Sequence, residues 1–229
     1  NTSQKNHIIT SKTEHKAVLD TYAHLSNKGF DVTYLDVDES GVVNLENLKD
    51  SITENTALVS IMHANNEIGV IHPIKEIGRI CKEREIVFFV DAAQSFGKEK
   101  IDVRDFNIDM LAASGHKIYG PKGVGFLYIN QTSKDIKLSS MIDGGGHESG
   151  FRSGTLNVPA IVGFGEAAKI AKDEMDINRK NDIQNRDIFL KELAKGVDGF
   201  MINGDLDQRL SGNLNISFDG VNGDALLLN

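Results

Sequence analysis

Two side chains suited to one kind of chemistry stand at matching places in this chain. Asp91 closes the apolar run "IVFFVD", and Lys117 lies inside "SGHKIYGPKGVG". A lysine set between a histidine and an Ile-Tyr pair, before three glycines, has unusual surroundings for a surface residue. The stretch is not a phosphate-cradling P-loop, because Gly-x-x-x-x-Gly-Lys-Ser/Thr cannot be laid over it. A carboxylate at a strand end can keep a pyridinium nitrogen protonated, and a desolvated lysine amine can form a Schiff base with an aldehyde. Those are the two protein groups that pyridoxal phosphate requires.

Other polar residues fall where a strand would end. "SIMHANNEIG" supplies His63, Asn65, Asn66 and Glu67, "FFVDAAQS" supplies Asp91 and Gln94, and "AASGHK" supplies Ser114, His116 and Lys117. In open α/β sheets, ligands collect at the carboxyl ends of strands. Taken one at a time these residues have plain readings. An aspartate can be a turn residue, a lysine a surface charge, and His15 or His116 a cap or core-edge residue. The glycines after Lys117 can be a turn. Cys81 shares an apolar helix face with Ile74 and Ile77, which makes it a small buried hydrophobe and not a nucleophile. The order and strand-end placement of the set carry the functional reading.

The elements that must position these groups follow from periodicity. "HIIT" reads as a strand, and "EHKAVLDTYAHLSNKG" as a helix with Val18, Tyr22 and Leu25 at helical spacing and Gly29 as its stop. "DVTYLDVD" is a strand, followed by a short helix with Leu45, Leu48 and Ile52 on one face. "TALVSIMHA" is a strand, and Pro73 opens a helix. "IVFFVDAAQS" is apolar enough for a strand covered on both faces. "DMLAAS" and "VGFLYI" are two more strands. This alternation predicts an α/β fold with a mostly parallel sheet flanked by helices. From Pro159 to about Lys195 the chain is helical, and "FMING" and "NLNISFDG" read as strands of a smaller α+β unit. The expected division is residues 1–158 for a large ligand-binding domain and 159–229 for a connecting helix and part of a small C-terminal domain. Asp224 is the expected N-cap of a last helix that the sequence does not close, and both ends of the chain read as cut.

Composition narrows the function classes. The chain has 229 residues, 40% hydrophobic, with a net charge of -8. An acidic balance speaks against nucleic acid or an anionic membrane as the main partner. One cysteine excludes an intramolecular disulfide framework and a multi-cysteine metal site. The start of the sequence does not read as a signal peptide. An intracellular enzyme is expected, in the cytoplasm or, in a eukaryote, the mitochondrial matrix.

On "HIITSKTEHKAV", "VSIMHANNEIGV", "VDAAQSFGK", "SGHKIYGPKGVG" and "GGGHESGFRSGTLNVPAIVG", nearly end to end, the chain resembles the cysteine desulfurases of the class V aminotransferase family. These are fold-type I pyridoxal-phosphate enzymes that convert L-cysteine to L-alanine and pass the sulfur on as a protein persulfide. The resemblance implies that Lys117 carries the cofactor on its amine. Asp91 would pair with the pyridine nitrogen, and Gln94 with the phenolic oxygen. His15 would stack on the ring and take part in proton transfer. Asn66 would lie near that oxygen and the substrate carboxylate. Ser114 and His116 would bind the phosphate. Thr155 would reach the phosphate of a neighbouring subunit, which implies a homodimer. A sulfur-acceptor or scaffold protein is a further implied partner, serving iron–sulfur cluster assembly or thiolation. No metal ligand set is expected.

The sequence departs from that family in three places. The mobile loop with the sulfur-accepting cysteine, the arginine for the substrate carboxylate and the N-terminal Gly-Thr phosphate loop have no counterpart here. The expectation is that this chain alone does not complete the reaction. A selenocysteine lyase or a class V transaminase is the alternative within the family. A non-catalytic dimerising scaffold, or an unrelated α/β binding domain, is the alternative outside it.

Overall fold

A computed structural model describes residues 5–132 and 136–228. Its centre is a six-stranded sheet in the order β2-β1-β3-β4-β5-β6. The strands are β1 (His7–Ser11), β2 (Asp31–Leu35), β3 (Thr56–Ser60), β4 (Val87–Asp91), β5 (Met110–Ser114) and β6 (Gly125–Ile129). All neighbouring pairs are parallel except β5 with β6. The chain steps one way from β1 to β2 and then returns past β1 to β3. The topological switch point therefore lies between β1 and β3, where ligands of such sheets bind.

The linking helices are α1 (Lys16–Ser26), α2 (Leu45–Ser51) and α3 (Ile74–Glu83). α2 forms because Asn44 accepts from the N–H groups of Glu46 and Asn47, and it buries Leu48. α3 starts after Pro73 and buries Ile74, Ile77 and Cys81 on one face. Helix and sheet close over a core of Ile9, Leu48, Val59, Ile77, Phe88 and Val90, all fully buried. Cys81 is fully buried too, as its place on that face predicts.

α4 (Val158–Gly196) is a single 39-residue helix, and it packs against the tight turn after β5. Phe164 of α4 meets Phe96 and Phe126, with ring centroids 6.0 and 5.9 Å apart. β7 (Phe200–Ile202) and β8 (Ile216–Phe218) form an antiparallel pair, and α5 (Gly223–Leu228) follows. The segment between β7 and β8 returns to the main sheet's loops, where Ile71 N–H donates to Gln208 O at 2.9 Å and Leu210 N–H to Gly69 O at 2.9 Å.

Three local expectations are corrected. β2 stops at Leu35, because Asp38 accepts from the Ser40 and Val42 N–H groups and bends the chain out of the ladder. β4 alternates buried with half-buried residues, so it is not equally covered on both faces. The last helix is capped by Asn222, whose Oδ1 accepts from the N–H groups of Asp224 and Ala225, and Asp224 sits in its first turn.

Candidate active site

The carboxyl ends of β1, β3, β4 and β5 stand side by side, and the polar residues singled out in the sequence follow them. After β1 the chain turns through Thr13, Glu14 and His15. Asn65, after β3, ties the two ends together. Its Nδ2 donates to Thr13 O at 2.9 Å, while its Oδ1 accepts from the N–H groups of Glu67 and Ile68. Asn66 is half-buried beside it. His63 N–H donates to Asp91 O at 2.9 Å, which continues the β3–β4 ladder past the named strands.

His15 is the N-cap of α1, with Nδ1 accepting from Ala17 N–H at 3.1 Å. The plain capping reading is thus correct, and it has a consequence. An imidazole nitrogen that accepts is unprotonated, so the neutral ring carries its proton on Nε2. The ring itself is exposed.

Asp91 ends β4 half-buried, and its Oδ1 accepts from Ala93 N–H at 2.8 Å. Among the described residues, Oδ2 has no donor. Gln94 lies half-buried in the turn that follows. The neighbouring strand ends at Ser114, and Gly115–Ile118 form a 3-10 turn. Crowding explains Gly115 and Gly125, and a positive φ of 77° explains Gly123. A Cβ on Gly125 would lie 2.5 Å from Ala113 O, and one on Gly115 3.0 Å from a Val124 methyl. The turn closes at Tyr119, in the left-handed region at φ 63°.

His116 and Lys117 are exposed on this turn. Lys117 helps to line a cavity of about 430 Å³ with Gly97, Lys98, Asp182 and Ser211. Burial lowers the pKa of the Lys98 amine, and the nearby charge of Lys117 lowers it further. Lys117 thus stands exposed at the rim of that cavity. Thr155 is exposed in the loop before α4. The structure therefore gathers His15, Asn66, Asp91, Gln94, Ser114, His116 and Lys117 along one edge of the sheet, and it sets Thr155 on a separate segment.

One residue at the site escaped the sequence reading. Glu14 is buried at 5% exposure, and its Oε1 accepts from Met62 N–H at 2.5 Å. Burial pushes its carboxyl up to about 8, against the Met62 hydrogen bond and with a contribution from the charge of Asp91. In sequence, an acid between Thr13 and His15 at a helix start reads as an exposed first-turn residue. Burial also holds His63 and His72 down to about 4. Among the described residues no group of three or more His, Cys, Asp or Glu could hold a metal ion.

The family model for class V aminotransferases matches residues 1–228. The chain belongs to the class V aminotransferase family. It is 52% identical over 223 residues to cysteine desulfurase IscS of Ehrlichia chaffeensis, covering 97% of this chain and 54% of that protein. It is 53% identical over 222 residues to cysteine desulfurase IscS of Neisseria meningitidis, with the same coverage. Among solved structures, a NifS-like protein superposes with a TM-score of 0.92 at 41% identity, over 98% of this chain and 61% of that one. SspA, solved in complex with cysteine, superposes with a TM-score of 0.81 at 42% identity, over 94% of this chain and 59% of that one. The chain spans about half the length of the curated relatives it matches.

Class V aminotransferases depend on pyridoxal phosphate. The donor set at the strand ends fits that group. Asp91 offers a carboxylate oxygen without a donor among the described residues, and the tight turn after the next strand offers a hydroxyl, an imidazole and a primary amine from Ser114, His116 and Lys117. Among the described residues no helix is long and apolar enough to cross a membrane.

Proposed function

We propose that this protein is a pyridoxal-phosphate-dependent cysteine desulfurase, and that residues 1–158 hold the cofactor while 159–229 form a connecting helix and part of a smaller domain. The reaction takes L-cysteine to L-alanine and leaves the sulfur on an acceptor thiol as a persulfide, for iron–sulfur cluster assembly or thiolation. The observation that carries this reading is the pairing of two adjacent strand ends. Asp91 pairs with Ala112 across β4 and β5, and the Ser114–Lys117 turn follows directly. One carboxylate and one amine thus stand at neighbouring strand ends, on the carboxyl edge of the sheet.

When bound, pyridoxal phosphate supplies an electron sink for a carbanion at the substrate α-carbon. Asp91 Oδ2 would hydrogen-bond the ring nitrogen and keep a proton there. Gln94 and Asn66 would hydrogen-bond the phenolic oxygen, and Asn66 would also orient the substrate carboxylate. Ser114 and His116 would bind the phosphate, and Lys117 would hold the group and serve as the base for the α-proton. His15 would stack on the ring, exclude water from that face and take part in proton transfer. Thr155 would serve the phosphate of a second copy, in a homodimer. Cys81 is not the sulfur acceptor, since it is fully buried on α3.

The reading is tested by supplying pyridoxal phosphate and L-cysteine to the protein that carries this chain. Alanine release and persulfide formation that Lys117→Ala abolishes are expected. Alanine release that survives Lys117→Ala would overturn it.

A further inference from the structure

Glu14 is buried, touches the site and has no part in the mechanism above. Four features of its placement bear on what it does. It lies at the switch point between β1 and β3. It immediately precedes His15, so whatever fixes Glu14 fixes the start of α1. Its Oε1 is bound to Met62 N–H at the far side of the switch point, 2.5 Å away. Its Oε2 is buried and has no hydrogen-bond partner in the described structure.

A buried carboxylate with one donor and a second, bare oxygen is unstable beside another negative charge. Asp91 on β4 is that charge, and Tyr22 on α1 is the other titratable group that feels Glu14. Tyr22 is itself buried, and its hydroxyl is pushed up to about 12, so it stays neutral. Neither neighbour supplies a positive charge. The carboxyl of Glu14 accordingly keeps its proton, and burial raises it to about 8.

We propose that Glu14 is a positioning residue: its carboxyl, bound to Met62 N–H across the switch point, clamps the His15-bearing turn to the end of β3 and leaves Asp91 to serve the cofactor's ring nitrogen. The last part rests on the proposed cofactor reading. The clamp does not. Two ionised carboxylates at this place would repel each other. A neutral one avoids this and still accepts from Met62. The companion tie from Asn65 to Thr13 O crosses the same gap, so two side chains hold the turn in register.

The test uses Glu14→Gln and Glu14→Ala beside the wild type, first without cofactor and then with pyridoxal phosphate. Gln keeps an acceptor for Met62 N–H and cannot ionise. Ala leaves that buried N–H bare. Without cofactor, the wild type binds more protons folded than unfolded between the ordinary carboxylate value of 4.5 and about 8. Glu14 should therefore contribute a fall in stability with rising pH across that window, opposed below 6.5 by His63 and His72, and Glu14→Gln should lack that contribution, so the stability difference between the two proteins changes with pH. Equal pH dependence of the two would overturn the proposal. With cofactor, Glu14→Gln should keep wild-type affinity and Glu14→Ala should lose about tenfold. A loss in Glu14→Gln as large as in Glu14→Ala would show that the charge is needed and would also overturn it. If the wild type takes up no cofactor, the functional reading fails, and the cofactor-free comparison alone decides the clamp.

Discussion

Replacing Gly78 by alanine sets two effects of opposite sign against each other. Gly78 lies inside α3, where alanine is favoured over glycine by about 1 kcal/mol. Propensity alone predicts stabilisation. The Cβ, however, would lie 1.9 Å from Phe106 O and 3.0 Å from Phe106 C. Ordinary carbon–oxygen contacts begin at about 3.3 Å, so helix and loop must part by more than ~1 Å. Phe106 presents backbone here, not a side chain that can swing away. Overpacking of this kind costs about 1–3 kcal/mol, and more where backbone must move. The same contact positions the site. Phe88 of β4 lies 3.4 Å from that Cβ, and its N–H is held at 2.9 Å by Asp109, which leads into β5. Parting them loosens the roots of both strands that carry Asp91 and Lys117. We expect Gly78→Ala to lose about 2–3 kcal/mol net, and Tm to fall by roughly 5–10 °C. Thermal unfolding followed by circular dichroism measures it. A variant as stable as wild type, or more so, would refute the close packing of α3 on this loop.

Asn65→Ala removes the hydrogen bond that ties β1's turn to β3's loop and two more that shape that loop, and should cost about 2–3 kcal/mol by denaturant unfolding. An unchanged midpoint would contradict that tie. His63 and His72 stay neutral in the fold down to about 4 but gain a proton near 6.5 when unfolded. The unfolded chain then binds more protons between these values, so stability should fall as pH drops from 6.5 towards 4. His72→Gln should flatten that acid limb by up to roughly 3 kcal/mol. An acid limb as steep in His72→Gln as in wild type would show that His72 is not held neutral.

Much of the fold was legible because its signals are local. Short apolar runs gave β1, β3 and β5, the apolar face of Ile74, Ile77 and Cys81 gave α3, and an unbroken helical stretch gave α4. The strand-end placement of Asp91, Gln94 and Lys117 was legible for the same reason. Features set by distant contacts were not. Nothing in "VGFLYI" shows that β6 runs antiparallel to β5; the tight turn between them dictates it. The end of β2 was misplaced because Asp38 draws its backbone partners from residues after it. Glu14 was passed over because its burial depends on Met62, far along the chain, and an acid beside a helix start carries no mark of that. The exposure of Lys117 was not legible either, since it follows from the tight turn that carries it.

The central claim is that Lys117 and Asp91 hold pyridoxal phosphate between two adjacent strand ends. The most direct measurement is to mix the protein with pyridoxal phosphate, reduce with borohydride, digest and map the modified lysine by mass spectrometry, beside Asp91→Asn. The account predicts a single modified site at Lys117, with uptake weakened in Asp91→Asn. Modification spread over surface lysines, or concentrated on Lys98 or another lysine with Lys117 untouched, would contradict it.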